Sequence, residues 1–99
     1  MKEYLNKDIM KITLNTNLKG LDGVEIPNTE TGKILANAMV SGSKVEGFDT
    51  VKCWVLAQAF YKGNEVELTI VDLETLRNFI DKTETMAGLA KAQIMELLK

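Results

Sequence analysis

The 99-residue chain has no histidine, one cysteine (Cys53), one proline (Pro27) and no apolar run near the roughly twenty residues that cross a bilayer as a helix. Each shortage excludes something. Without histidine, the commonest general base and the commonest metal ligand are both missing. A single thiol forms no internal disulfide, and with no imidazole to activate it Cys53 reads as a core residue rather than a nucleophile. Lysine plus arginine number 12 against 14 aspartates and glutamates, a net charge of −2. That small acidic excess, with lysines scattered from Lys2 to Lys99, argues against a general nucleic-acid binder. The first eight residues, Met1 to Asp8, carry acids and no apolar stretch, unlike a secretory signal. The expectation is a cytoplasmic protein with Cys53 reduced.

What is present reads as an ordinary globular domain, with 45% hydrophobic and 26% charged residues. Asp8 to Leu18 alternates, with Met10, Ile12 and Leu14 on one side, and predicts a half-buried strand. Gly20-Leu21-Asp22-Gly23 follows, and its Asp-Gly pair predicts a type I′ hairpin turn that Pro27 brings to an end. A first helix is expected from Thr29 or Thr31, either of which can cap it, with Ile34, Leu35, Ala38 and Met39 as its apolar stripe. Asp49 predicts the start of a second helix over Thr50 to Lys62, with Gly63 as its stop. That helix is apolar almost all round (Val51, Cys53, Trp54, Val55, Leu56, Ala57, Ala59, Phe60, Tyr61), which predicts a central pillar of the core.

Asn64 to Thr69 alternates as a short strand, a partner for the first. Thr69 and Asp72 then form a variant capping box for a third helix that turns Leu73, Leu76, Phe79 and Ile80 inward and Asp72, Glu74 and Asp81 outward. A last helix is expected from Thr83, with Met86, Leu89, Ala90, Ile94, Leu97 and Leu98 at helical spacing. The class is therefore α+β: three to four helices packed on a small antiparallel hairpin or sheet.

No motif in this order carries catalysis, a cofactor or a metal. Glu65, Glu67, Asp72 and Glu74 lie close together but lack the glycine and terminal glutamate of a calcium loop. Gly20-x-x-Gly23 and Thr31-Gly32-Lys33 lack the rest of a phosphate-binding loop. Ser41 and Ser43 beside Lys44 sit in a loop that would not hold attack geometry. What remains is surface for a protein partner. The acidic face of the third helix, Asp72, Glu74 and Asp81, is one candidate. Met95, off the main stripe of the last helix with Lys91 beside it, is the other. Tyr4 and Leu5 suggest an arm that folds back or reaches another chain.

Several segments resemble small proteins encoded by bacteriophages and prophages: Met10-Lys11-Ile12-Thr13-Leu14-Asn15-Thr16, Leu18-Lys19-Gly20-Leu21-Asp22-Gly23, Gly32 to Ala38, Trp54-x-Leu56-Ala57, Tyr61-Lys62-Gly63, Val66-Glu67-Leu68 and Ala90-Lys91-Ala92-Gln93. In such proteins the chain begins where Met10 stands, so the resemblance implies an N-terminal extension over 1–9 and a single α+β domain over 10–99. It implies no catalytic residue. The expected function is a non-enzymatic, phage-encoded protein-binding module, an inhibitor of a host antiviral-defence protein. The alternative is a virion or assembly component, such as a head or tail chaperone, that self-associates as a homo-oligomer.

Overall fold

Residues 9–41 and 45–98 are described by a computed structural model. Residues 1–8 of the expected extension over 1–9, with Tyr4 and Leu5, lie outside those residues, as do Ser43 and Lys44. Strand β1 (Ile9–Thr13) pairs antiparallel with β4 (Glu65–Thr69), Ile12 opposite Val66 and Met10 opposite Leu68. The period-2 pattern sends Ile12, Val66 and Leu68 into the core, while Lys11 and Glu67 face each other on the outer side. The expected pairing of these two segments is therefore present.

The strand expected to run on to Leu18 is broken instead. β4 begins at Glu65, the partner of Thr13, so beyond Thr13 the chain has no ladder to follow. It turns through Leu14 to Thr16 and starts a second two-stranded sheet, β2 (Asn17–Lys19) against β3 (Glu25–Glu30). The turn between these strands also differs from the expectation. Gly23 has φ +82°, but Asp22 is not left-handed, as a type I′ turn would require. Gly20 N–H donates to Val24 O and Gly23 N–H to Gly20 O, both at 2.9 Å. This is the pattern of a three-residue loop closed by a left-handed glycine. The Asp22 carboxylate accepts from Val24 N–H at 3.0 Å and pins it.

Pro27 does not end β3. Between the pairs Asn17–Glu30 and Lys19–Glu25, β3 advances five residues while β2 advances two, and the excess loops out over Ile26 to Thr29. Pro27 sits in that bulge, where the ladder needs no donor. Asn28 is left-handed (φ +62°), and Thr29 Oγ1 closes the loop on Ile26 O at 2.6 Å while accepting from Leu18 N–H at 2.9 Å.

Helix α1 (Thr31–Val40) consequently starts with no side-chain cap, because the Thr29 hydroxyl is spent on the bulge and Thr31 is buried. Thr31 N–H donates to Thr16 O at 2.9 Å instead. Helix α2 (Thr50–Tyr61) begins as expected, with Asp49 Oδ1 accepting from Lys52 N–H at 2.7 Å, and ends at the left-handed Gly63. The two helices form an antiparallel hairpin whose ends are marked by Gly32 against Phe60 and by Cys53 Sγ against Met39 O at 3.5 Å. α2 is not the pillar that its composition predicts. Only Leu56, Ala57 and Phe60 of its side chains are buried, and Val51, Trp54, Val55 and Tyr61 stand in solvent.

Helix α3 (Ile70–Lys82) carries the complete Thr69/Asp72 capping box and buries Leu73, Leu76, Phe79 and Ile80. Helix α4 (Gly88–Leu97) starts five residues later than Thr83. Thr83 instead caps the end of α3, donating from its N–H to Phe79 O at 2.8 Å, and its hydroxyl pairs with that of Thr85 at 2.9 Å. Met86, Ala90, Ile94 and Leu98 reach the core, whereas Leu89 and Leu97 remain exposed. One core results, in which Leu14, Leu35, Phe60, Leu68, Leu76, Ile80, Ile94 and Leu98 are fully buried.

The closest approach in that core is at Gly32. A Cβ there would lie 2.2 Å from Phe60 O and 2.3 Å from Leu14 O, inside any permitted contact. Gly32→Ala is expected to destabilise the fold by about 3 kcal/mol in urea unfolding. Gly88→Ala, where an added methyl meets nothing within 4 Å, should change stability by less than about 1 kcal/mol.

Candidate protein-binding face on the helical hairpin

The stripe Cys53, Leu56, Ala57 and Phe60 recurs at three and four residues and, with Ala59 beside it, turns α2 toward the core. The apolar residues left over fall on the other side, where no element among the described residues covers them. Trp54 is 55% exposed, with Val51, Val55 and Tyr61 comparably open and Val40 of α1 beside them. A groove of about 270 Å³ runs between the two helices, walled by Ala36, Asn37 and Val40 from α1 and Trp54, Gln58 and Tyr61 from α2. Of the residues that line it, only Lys62 is charged. α1 and α2 contain Lys33 and Lys52, and Lys62 follows α2 directly, but neither helix has an aspartate or glutamate.

The lysines are not equivalent. Lys33 Nζ lies 5.4 Å from the centroid of the Tyr61 ring and 3.2 Å from Glu30, which holds the ring in place at the groove end. Lys52 Nζ turns away to Asp72 Oδ1 at 2.8 Å and lies 5.2 Å from the centroid of the Phe48 ring. Cys53 is half-buried against the core, and burial raises its thiol pKa above the ordinary value. Among the described residues no group of three or more His, Cys, Asp or Glu is placed to hold a metal ion, and no helix is long and apolar enough to cross a membrane.

The residues singled out from sequence are dispersed. Asp72 is 8% exposed, not outward-facing. Glu74 and Asp81 are exposed and, seven residues apart, share one face of α3; Asp72 is turned about 200° from Glu74, onto the side of Leu76 and Phe79. Lys91 is brought to the end of α3, where its Nζ donates to Asp81 O at 3.1 Å. Met95 is half-buried and packs on the core. The exposed face of α2 escaped sequence reasoning because all-round apolarity was read as all-round burial. The available signal was that 53/56/57/60 already forms a complete inward stripe, which leaves Trp54, Val55 and Tyr61 unclaimed.

In comparisons with known proteins, no family model, no curated protein and no solved structure matches the chain.

Asp72 links α3 to α2 of the hairpin. Burial by itself would raise its pKa, but Lys52 and the N–H and side chain of Thr69 outweigh that and hold it below the usual carboxylate value. A depressed folded pKa adds stability above the unfolded value of about 3.9, and that stability is lost as pH falls through the folded pKa. Asp72→Asn should therefore cost about 1–2 kcal/mol at neutral pH, while in acid its denaturation midpoint and that of the parent protein converge.

Proposed function

We propose that this chain is a non-enzymatic protein-binding module that engages its partner through the outer face of the α1–α2 hairpin. The observation that carries the reading is the exposed apolar set Val40, Val51, Trp54, Val55 and Tyr61, of which Val40, Trp54 and Tyr61 wall the groove, on two helices that carry no carboxylate. A tryptophan side chain covers about 150–250 Å², so burying its outer half returns about 2–3 kcal/mol at about 25 cal/mol per Å². Tryptophan and tyrosine are also the side chains that most often dominate protein interfaces. Small size, the small acidic net charge and the resemblance of several segments to phage-encoded proteins support a bacterial host protein as the partner, with inhibition of an antiviral-defence component as the finer reading.

The alternative, a self-associating virion or assembly subunit, uses the same face and is separated by experiment. Tagged protein and its Trp54→Lys variant are incubated with bacterial lysate, after circular dichroism has shown that both fold. Capture of one stoichiometric partner by the parent protein, weakened about thirtyfold or more by Trp54→Lys, is the expected result. A homo-oligomer in light scattering that Trp54→Lys dissociates turns the reading to assembly. A monomer that captures nothing, or a partner retained equally by the variant, overturns the assignment of this face.

A further inference from the structure

Independently of the hairpin face, a second concavity opens where β2 meets α4. It measures about 740 Å³ and is lined mainly by polar residues, among them Asn15, Asn17 and Lys19 near β2, Thr31 at the start of α1, and Gln93 and Glu96 on α4. The ladder dictates which way β2 points its backbone here. Thr31 N–H donates to Thr16 O and Gly20 N–H to Val24 O, so these bonds flank the pairs Asn17–Glu30 and Lys19–Glu25. Leu18 N–H also points to β3, at Thr29 Oγ1. Pairs flanked in this way are the non-hydrogen-bonded ones, and their own N–H and C=O groups point away from the partner strand.

Gln93 shows what such groups accept. Its side-chain amide takes Lys19 N–H at 2.8 Å and donates to Lys19 O at 2.6 Å, pairing with Lys19 as a peptide unit of a third strand would. One strand step earlier, Asn17 turns its N–H and C=O to the same side. Two further atoms of cleft-lining residues are buried without a partner, Asn17 Oδ1 and Thr31 Oγ1, and Thr31 is only 1% exposed. Asn17 Nδ2 is directed to Glu25 Oε1 at 3.4 Å, which leaves Oδ1 as the free acceptor. Buried polar atoms without partners are rare in folded proteins and carry a free-energy cost.

We propose that this cleft binds a short extended peptide segment, which adds to the outer edge of β2 by pairing with the backbone of Asn17 next to Gln93. Strand addition to an exposed sheet edge draws its affinity from main-chain hydrogen bonds and its selectivity from side-chain sites along the edge. The Gln93 amide already occupies the Lys19 position, so the added segment is limited to the stretch along Asn15 to Asn17. The side chain that reaches Asn17 Oδ1 and the Thr31 hydroxyl carries an N–H or O–H donor, as in serine, asparagine or lysine.

The test is nuclear magnetic resonance titration of the isotope-labelled full chain with N-acetylated tripeptide amides bearing serine, asparagine, lysine or alanine at the centre. Saturable shifts of the Asn17 backbone N–H and of the Asn17 and Gln93 side-chain amides are expected with a donor-bearing peptide, stronger than with alanine. N-methylation of the central amide should remove them. Thr31→Val deletes the unpaired hydroxyl while keeping the shape, so it should raise the thermal midpoint and weaken the best peptide about tenfold. The proposal fails if no peptide shifts the Asn17 N–H at millimolar concentration, if the N-methylated peptide binds equally well, or if Thr31→Val binds as the parent protein does. In each of those cases the two buried atoms are satisfied by water alone.

Discussion

Three stretches of backbone converge on the single missing side chain of Gly32. The start of α1, the Phe60 carbonyl near the end of α2 and the Leu14 carbonyl between β1 and β2 meet there at distances that no Cβ permits. Everything around the hairpin follows from that approach. It brings α1 antiparallel to α2, and it lies where the chain leaves one sheet for the other. It also seats Thr31 in the interior, where its N–H caps Thr16 O and its hydroxyl is left over. Close packing of this kind is worth more than the same area of looser contact, because gaps of even a fraction of an ångström forfeit dispersion energy.

The same geometry decides what stays uncovered. Because α2 uses one narrow stripe to meet α1 and the sheet, Val51, Trp54, Val55 and Tyr61 are left exposed, with nothing among the described residues to cover them. An isolated exposed valine is unremarkable on any protein surface, but a tryptophan and a tyrosine that share a groove with Val40, with Val51 and Val55 exposed on the same helix, form a patch. Away from that patch, the charged groups expected to form a surface are partly absorbed by the fold. Asp72 serves the N-terminus of α3 and Lys52 of α2 at once, which ties the two helices together through a buried carboxylate.

Much of the architecture was legible from local chemistry. Asp49, Gly63 and the Thr69/Asp72 box mark helix ends by hydrogen bonds that close within four residues, so spacing alone finds them. The β1–β4 pairing was legible from two matching period-2 patterns. The break at Leu14, the bulge at Pro27 and the late start of α4 were not, because each depends on where a partner segment begins or ends. Thr83 is a competent N-cap residue, yet its N–H closes α3 on Phe79 O, its hydroxyl is taken up by Thr85, and the chain bends through Glu84 to Met86 before α4 starts. For the candidate face, the residue types were in view but their side was not.

By itself, then, the sequence determined the class: a small α+β domain without histidine or disulfide, whose helix caps and alternating strands are set by interactions between near neighbours. It also determined that α2 is rich in large apolar side chains. Only the tertiary structure decided which of those are core and which are surface, since burial depends on how many elements surround a helix and not on its composition. The same holds for Asn17 and Gln93. Their chemistry is ordinary on the page, and a strand edge opening on a polar cleft exists only because residues far apart in the chain are packed side by side.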